Sequence, residues 1–170
     1  MKPVIAISSC ILGNRVRYDG EIKHFPEICQ QLQQHFQLLP VCPEVEMGLS
    51  VPRPPLQLIA DDGRIRMVGR DDPSIDVSAA MDEFCRDKPC RLGAISGYVF
   101  KSRSPSCGLN QIPVLQHGKP VETNHRGLFA DAMLTRYPDL PVAQETELES
   151  ALQRQQFIQQ VLNYYRQQSR

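Results

Sequence analysis

Short apolar runs that end in polar turns are the first pattern along this chain. The β-branched run Val4 to Ile7 stops at Ser8, and two further runs, 38–41 and 94–100, also end at turn residues. Apolar runs of this length between turn signals are typical of buried strands. The pattern therefore predicts three strands, over 4–7, 38–41 and 94–100.

Apolar residues at helical spacing lie between these strands. After Pro26, which the first turn of a helix tolerates, apolar residues recur every four positions and predict a helix over 26–36. Similar stripes predict three further helices, at 75–85, 127–137 and about 145–166. The acidic segment 61–73 is predicted to hold at most one short strand, 64–68.

Strands that alternate with helices favour a parallel sheet with helices on both faces. We expect an α/β fold with a mainly parallel, Rossmann-like sheet and a single domain over residues 1–170, a length that buries one core. Ligands bind such sheets outside the carboxyl ends of the strands. The functional site is therefore expected at that edge.

Three cysteines follow the predicted strands. Cys10 comes after the first, Cys42 directly after the second, and Cys107 a short turn after the third. The C-x-x-C spacing of zinc sites is missing, so their convergence depends on the fold. Three thiolates suit a structural zinc poorly, whereas an iron-sulfur cluster held by three of them would keep one iron open.

The other cysteines and the amino terminus indicate where in the cell this chemistry would take place. Cys29, Cys85 and Cys90 lie in or near predicted helices, and we assign them structural or incidental roles. The apolar run in the opening MKPVIAISSC is too short for a signal peptide, and no apolar run in the sequence approaches the roughly 20 residues of a membrane span. We expect a cytoplasmic protein without a membrane partner, whose cysteines are thiols rather than disulfides.

Only local groups of charged residues, and not the net charge, bear on the predicted function. The formal net charge is zero, with 19 basic and 19 acidic residues, which excludes a general polycation that binds nucleic acid indiscriminately. Basic residues gather instead at the predicted turns, where the candidates for binding an anion are Arg17, Arg53, Lys101 and Arg103. Arg53 is presented by a stiff proline-rich loop. The alternative is that these cations pair with surface carboxylates such as Asp19.

One carboxylate stands close to a thiol. Glu44 follows Cys42 across Pro43, so it should reach the same space and could act there as a general base. A surface or helix-capping acid is the alternative. The four histidines show no metal-ligand spacing.

Three blocks of the sequence resemble the signature blocks of the thiouracil desulfidase family. They are SSCILGNRVRYDG at 8–20, VCPEVEMGLSVPRP at 41–54 and KSRSPSCG at 101–108, and each carries one cysteine. The resemblance extends over residues 1 to about 140. The segment HRGLFADAML at 125–134 is similar to the branch that contains bacterial desulfidases for 4-thiouridine in transfer RNA.

The resemblance implies a cofactor and a reaction. The cofactor is a 4Fe-4S cluster held by Cys10, Cys42 and Cys107, with one open iron that binds the sulfur of a thiolated pyrimidine. Water would replace this sulfur, which leaves as sulfide, in a hydrolysis without an electron donor. Glu44 becomes the candidate base and Ser104 the candidate proton relay or substrate donor, with Ser106 as a close alternative.

Two questions stay open at this point. Free thiouracil, a thiouridine nucleotide and 4-thiouridine within transfer RNA are competing substrates, and the local cations favour the latter two. A redox or sensing module, whose cluster is fully ligated and does no hydrolysis, is the alternative function. The sequence also leaves the oligomeric state open.

Overall fold

The fold is taken from a computed structural model that describes residues 1–169; the last residue of the predicted domain, Arg170, lies outside the described residues. The strands are β1 Val4–Ser8, β2 Gln37–Val41, β3 Leu56–Asp61, β4 Arg64–Gly69, β5 Ile95–Phe100, β6 Ile112–Gln116, β7 Lys119–His125 and β8 Val142–Gln144. The helices are α1 Pro26–His35, α2 Pro43–Glu46, α3 Ser78–Arg91, α4 Leu128–Arg136 and α5 Ala151–Gln168. Short 3-10 turns occupy Ser9–Ile11 and Glu147–Glu149.

Four parallel strands form the first sheet, in the order β2-β1-β5-β8. Every residue of β5 is buried, as is typical of parallel strands that are covered on both faces. From β1 the chain crosses to β2 on one side, and β5 then lies on the other side of β1. This reversal opens a crevice at the carboxyl ends of the strands, where α/β sheets bind ligands.

Helices cover both faces of this sheet. On one face, Ile5 and Ile7 pack with buried residues of α1 and α5. On the other, Ala6 packs in one core with Met81 of α3 and Phe129 of α4. The alternation of β1 side chains between two cores confirms the predicted α/β fold with a mainly parallel sheet.

A second sheet of order β4-β3-β6-β7 was not predicted, apart from β4. It combines a parallel β3–β6 pair with two antiparallel hairpins. Each hairpin turns on two residues with positive φ, Asp62-Gly63 and His117-Gly118, the backbone of the type I′ turns that suit the twist of paired strands. Leu58, Met67 and Val114 of this sheet belong to the same buried cluster as Ala6 of β1, so the two sheets share a core.

The helices depart from prediction at two places. The helix predicted from about 145 begins instead at Ala151, because residues 142–144 form β8 and Ser150 caps the helix by accepting from the Gln153 amide at 3.4 Å. Helix α3 starts and ends later than the predicted 75–85 and includes Pro89. Among residues 1–169 there is no helix both long enough and apolar enough to cross a membrane.

Candidate active site

A cavity of about 410 Å³ opens at the carboxyl ends of the parallel strands, and Cys10, Cys42 and Cys107 all line it. Cys10 lies in the 3-10 turn after β1, Cys42 is the residue before α2, and Cys107 lies in the loop after β5. The fold therefore brings together three thiols that are distant in sequence. Among the described residues, the other three cysteines do not line this cavity.

A tight turn holds Cys107 in place. The Ser104 Oγ accepts the backbone amides of Ser106 and Cys107 at 3.2 and 3.1 Å, and the Ser104 carbonyl accepts the Gly108 amide at 2.8 Å. Gly127, just before α4, approaches so closely that a Cβ there would lie 2.5 Å from the Ser106 carbonyl carbon. Only glycine fits this approach, which locks the Cys107 loop to the start of α4.

Burial sets the protonation of the three thiols. It raises the pKa of Cys10 to about 11, raises that of Cys42, and raises that of Cys107 well above its ordinary value. Charge on Cys42 would raise the pKa of Cys10 further, and charge on either of these would raise that of Cys107. Metal binding must therefore displace protons from the thiols, which makes it pH-dependent.

The donor set of the cavity is three thiols. Within residues 1–169, no group of three His, Cys, Asp or Glu side chains is arranged to hold one metal ion. An iron-sulfur cluster is larger than an ion, so its ligands stand farther apart, and thiolates are its usual ligands. Three separate thiols that face one cavity match that requirement.

Glu44 is fixed from two sides. Arg53 Nε donates to Glu44 Oε1 and Ser106 Oγ donates to Glu44 Oε2, each at 2.9 Å. The residue is only 9% exposed and lines the cavity beside Cys42. Its carboxylate is thus held in the position that a general base for the cavity would need.

The structure separates the two serines that the sequence left as alternatives. Ser104 lines the cavity. Its hydroxyl oxygen accepts two backbone amides, so its hydroxyl proton is available for donation to a substrate. Ser106 is 1% exposed, gives its proton to Glu44, and is not among the described residues that line the cavity. Ser104 can reach a substrate, whereas Ser106 supports Glu44.

The charge around the cavity is mainly positive. Among the described residues its lining holds one carboxylate, Glu44, and six cations: Arg17, Lys23, Arg53, Arg70, Lys101 and Arg103. Three of the cations are paired, as the alternative interpretation of the sequence anticipated for Arg17, which contacts Asp19 at 2.7 Å. Within residues 1–169, Lys23, Arg70 and Arg103 form no ion pair with a carboxylate.

Lys101 is tied to a buried acid. Glu145 is 1% exposed and accepts from Lys101 Nζ at 2.6 Å, from the Ser102 amide at 2.8 Å and from Ser102 Oγ at 2.6 Å. Burial alone would raise the pKa of Glu145, but these hydrogen bonds outweigh it and lower that pKa. The pair anchors the first residues of the Cys107 loop.

Of three further cavity residues, Arg103 was predicted from the sequence, whereas Arg70 and Tyr18 were not. Arg103 is an exposed non-glycine residue with a φ of 60°, an unfavourable backbone state that is enriched at functional sites. Arg70 was missed because it follows β4, in the sheet that the apolar pattern did not reveal. Tyr18, inside the first signature block, contributes an aromatic ring that was not singled out either.

Comparisons with known proteins identify the family and a similar fold. A family model for 2-thiouracil desulfurase matches residues 5–145. A solved structure described as the 4Fe-4S-dependent thiouracil desulfidase TudS superposes with a TM-score of 0.63 and 30% identity, and covers 89% of this chain and 97% of its own. The uncharacterized protein YbbK of Bacillus subtilis (strain 168) is 27% identical over 114 residues, 62% of this chain and 73% of that protein.

Proposed function

This chain belongs to the 2-thiouracil desulfurase family, and on that premise we propose that it is a 4Fe-4S-dependent enzyme that hydrolyses thiolated pyrimidines. The products would be the oxo pyrimidine and sulfide. The observation that carries this proposal is the meeting of three thiols, a fixed carboxylate and an excess of cations around one cavity.

In this proposal, Cys10, Cys42 and Cys107 hold the cluster. When bound, the cluster supplies a soft Lewis acid that binds thiocarbonyl sulfur and makes its carbon more electrophilic. The exchange of sulfur for oxygen leaves that carbon at the same oxidation level, so no electron donor enters the reaction.

The remaining steps are carried out by the protein's own side chains. Glu44 takes a proton from the attacking water, while Arg53 and Ser106 keep its carboxylate in position. Ser104 donates its hydroxyl proton to the pyrimidine or relays a proton to it.

We infer that the substrate bears a phosphate, as 4-thiouridine nucleotide or as 4-thiouridine within transfer RNA, with free thiouracil as the smaller alternative. The support is the set of rim cations without carboxylate partners in the described chain: Lys23, Arg70 and Arg103. Arg17, Arg53 and Lys101 add positive potential although each already contacts an acid. A cavity of about 410 Å³ is within the range for small-molecule ligands.

The cytoplasm is the compartment that we propose for this reaction. All six cysteines lie within the described residues and are free thiols. A reducing compartment keeps thiols in this state and available to iron.

The test is anaerobic reconstitution, followed by iron quantification and by sulfide release from a 4-thiouridine nucleotide, 4-thiouridine and 4-thiouracil. We expect release from all three, with the highest kcat/KM for the nucleotide. A fully loaded protein that releases no sulfide from any of them would instead support the redox or sensing module.

A further inference from the structure

Two buried polar side chains at the end of β8 lie outside the cavity. Gln144, the last residue of β8, is 7% exposed, and Glu145, which follows it, is 1% exposed. Neither is among the described residues that line the cavity. Burying a polar group costs free energy unless the group is hydrogen-bonded. The partners of these two side chains therefore indicate their role.

Both side chains bind the Cys107 loop, residues 101–109, and they bind it at opposite ends. At its start, Glu145 Oε2 accepts the Ser102 amide at 2.8 Å, while Glu145 Oε1 accepts from Ser102 Oγ and from Lys101 Nζ, each at 2.6 Å. At its end, Gln144 Oε1 accepts the Leu109 amide at 3.0 Å. Two adjacent residues of one strand end thus hold both ends of this loop.

The parallel sheet fixes the position of these two residues. Strand β8 pairs with β5, and Gln144 lies opposite Phe100, the last residue of β5. The Cys107 loop therefore leaves β5 beside the point where β8 ends. Glu147 adds a further restraint, because its carboxylate accepts the Gln144 amide at 2.6 Å.

The Cys107 loop requires such restraints because its backbone is strained at Arg103, where φ is 60°. A non-glycine residue keeps this conformation only when the surrounding structure enforces it. The Ser104 side chain supplies part of that restraint from within, through its hydrogen bonds to the Ser106 and Cys107 amides. The contacts of Gln144 and Glu145 supply the rest, since they fix the two ends between which this turn is built.

We propose that Gln144 and Glu145 are positioning residues for the cofactor: by holding both ends of the Cys107 loop, they keep the Cys107 sulfur in place to bind iron. This inference rests on the proposed function, because it requires the cluster on Cys107. Residues that orient a metal ligand without touching the metal typically change its affinity by a factor of about 10 to 100. The same contacts would also hold Ser104, the proposed proton donor, which lies on this loop.

Gln144→Met tests this proposal without activity measurements, because it keeps the length of the side chain and removes the acceptor of the Leu109 amide. We expect the reconstituted variant to lose its cluster to an excess of iron chelator about tenfold faster than the wild type, as followed anaerobically by visible absorbance. In the iron-free protein, hydrogen exchange should be faster in the segment 101–109 and unchanged in β5.

Glu145→Gln tests the other end of the loop independently. It keeps the shape of the side chain but removes the charge that faces Lys101, so it should also accelerate cluster loss and hydrogen exchange in the segment 101–109. If Gln144→Met failed to fold, Glu145→Gln alone would decide the matter.

Ser78→Ala is the matched control. Ser78 Oγ accepts the Met67 amide at 2.9 Å, which is the same kind of hydrogen bond, but it joins α3 to β4 and Ser78 does not line the cavity. Its loss should make the iron-free protein less stable to urea and leave the rate of cluster loss unchanged.

Three outcomes would contradict the proposal. Cluster loss at the wild-type rate in both Gln144→Met and Glu145→Gln would overturn the inference while the cluster assignment stands. Equal acceleration in Ser78→Ala would overturn it as well, because a general loss of stability would then explain the effect. Failure of the wild-type chain to take up a cluster would overturn the inference and the proposed function together.

Discussion

The two sheets of this molecule border the same cavity but contribute different parts of it. Turns and loops at the ends of the parallel strands supply the three thiols, Glu44 and Ser104, whereas the second sheet and its flanks supply Arg70, Pro55 and Leu56. The central parallel strands β1 and β5 are almost entirely buried, while β7 is exposed along nearly its whole length. Rigid, buried strands can fix reacting groups, and the open sheet can shape what reaches them.

The largest expected effect concerns the thiols of the parallel sheet. We expect Cys10→Ser, Cys42→Ser and Cys107→Ser each to abolish cluster binding, because a serine hydroxyl is a poor iron ligand at this position. Cys29→Ser, Cys85→Ser and Cys90→Ser should keep the cluster. Iron and acid-labile sulfide contents after anaerobic reconstitution decide the matter, and equal losses in both sets would refute the assignment.

The next effect concerns the base. Glu44→Gln should keep the cluster and bind substrate but lose at least about a hundredfold in turnover, the lower range for a general base. Glu83→Gln, an exposed carboxylate of α3 that does not line the cavity, is the control. If Glu44→Gln turned over at a near-normal rate, the base would have to be sought elsewhere.

Alkaline pH should weaken the iron-free protein through the same thiols. The cysteine pKa is 9.0 in the unfolded reference and about 11 for folded Cys10. Between these values the unfolded chain has lost a proton that the folded chain keeps, so the free energy of unfolding falls by about 1.4 kcal/mol per pH unit per thiol. Stability is retained below pH 9 and lost as the pH rises toward 11.

Urea unfolding from pH 8 to 11 measures this decline. It should be shallower in iron-free Cys10→Ser, which lacks one of the thiols, than in the iron-free wild type. It should also be shallower in the loaded protein, where the ligand sulfurs carry no proton to lose. Identical slopes in the three proteins would show that the site thiols do not cause the decline.

The smallest expected effect is that of removing one cation from each of the two regions. Arg103→Ala, in the loop after β5, and Arg70→Ala, after β4, should each raise the KM for a thiouridine nucleotide by about three- to tenfold, as expected for the loss of a partly exposed charge-assisted contact. The KM for free thiouracil should not change. Arg64→Ala, which lies outside the cavity lining, is the control.

Arg53→Ala should differ from both, since it also releases Glu44 and should lower turnover for every substrate. If Arg70→Ala and Arg103→Ala weakened nucleotide and free base alike, these arginines would be structural and the phosphate-bearing substrate would lose its support.

The contrast between the sheets also explains how far the sequence could be interpreted. Strands β1, β2 and β5 were predicted because buried parallel strands are continuous apolar runs. In the second sheet β4 was predicted, but β7 is polar and exposed along nearly its whole length, and only the turns at Asp62-Gly63 and His117-Gly118 signal the hairpins. Helix α5 was started too early because the apolar pattern alone does not reveal β8.

The same limit applies to the site. The three cysteines could be predicted to share one edge because each follows a parallel strand, and the structure places them around one cavity. The division of roles between Ser104 and Ser106 depends on hydrogen bonds to Cys107 and Glu44 that no sequence pattern encodes. The roles of these residues, and the assignment of residues 1–170 to one domain, stay predictions.

The most direct test of the central claim is the fate of oxygen during turnover. The cluster-loaded protein is incubated without oxygen and without any reductant, in water labelled with oxygen-18, together with a 4-thiouridine nucleotide. The account predicts one sulfide released per oxo pyrimidine formed, with oxygen-18 at the carbon that carried sulfur. A strict requirement for a reductant throughout turnover, or a product without the label, would contradict it.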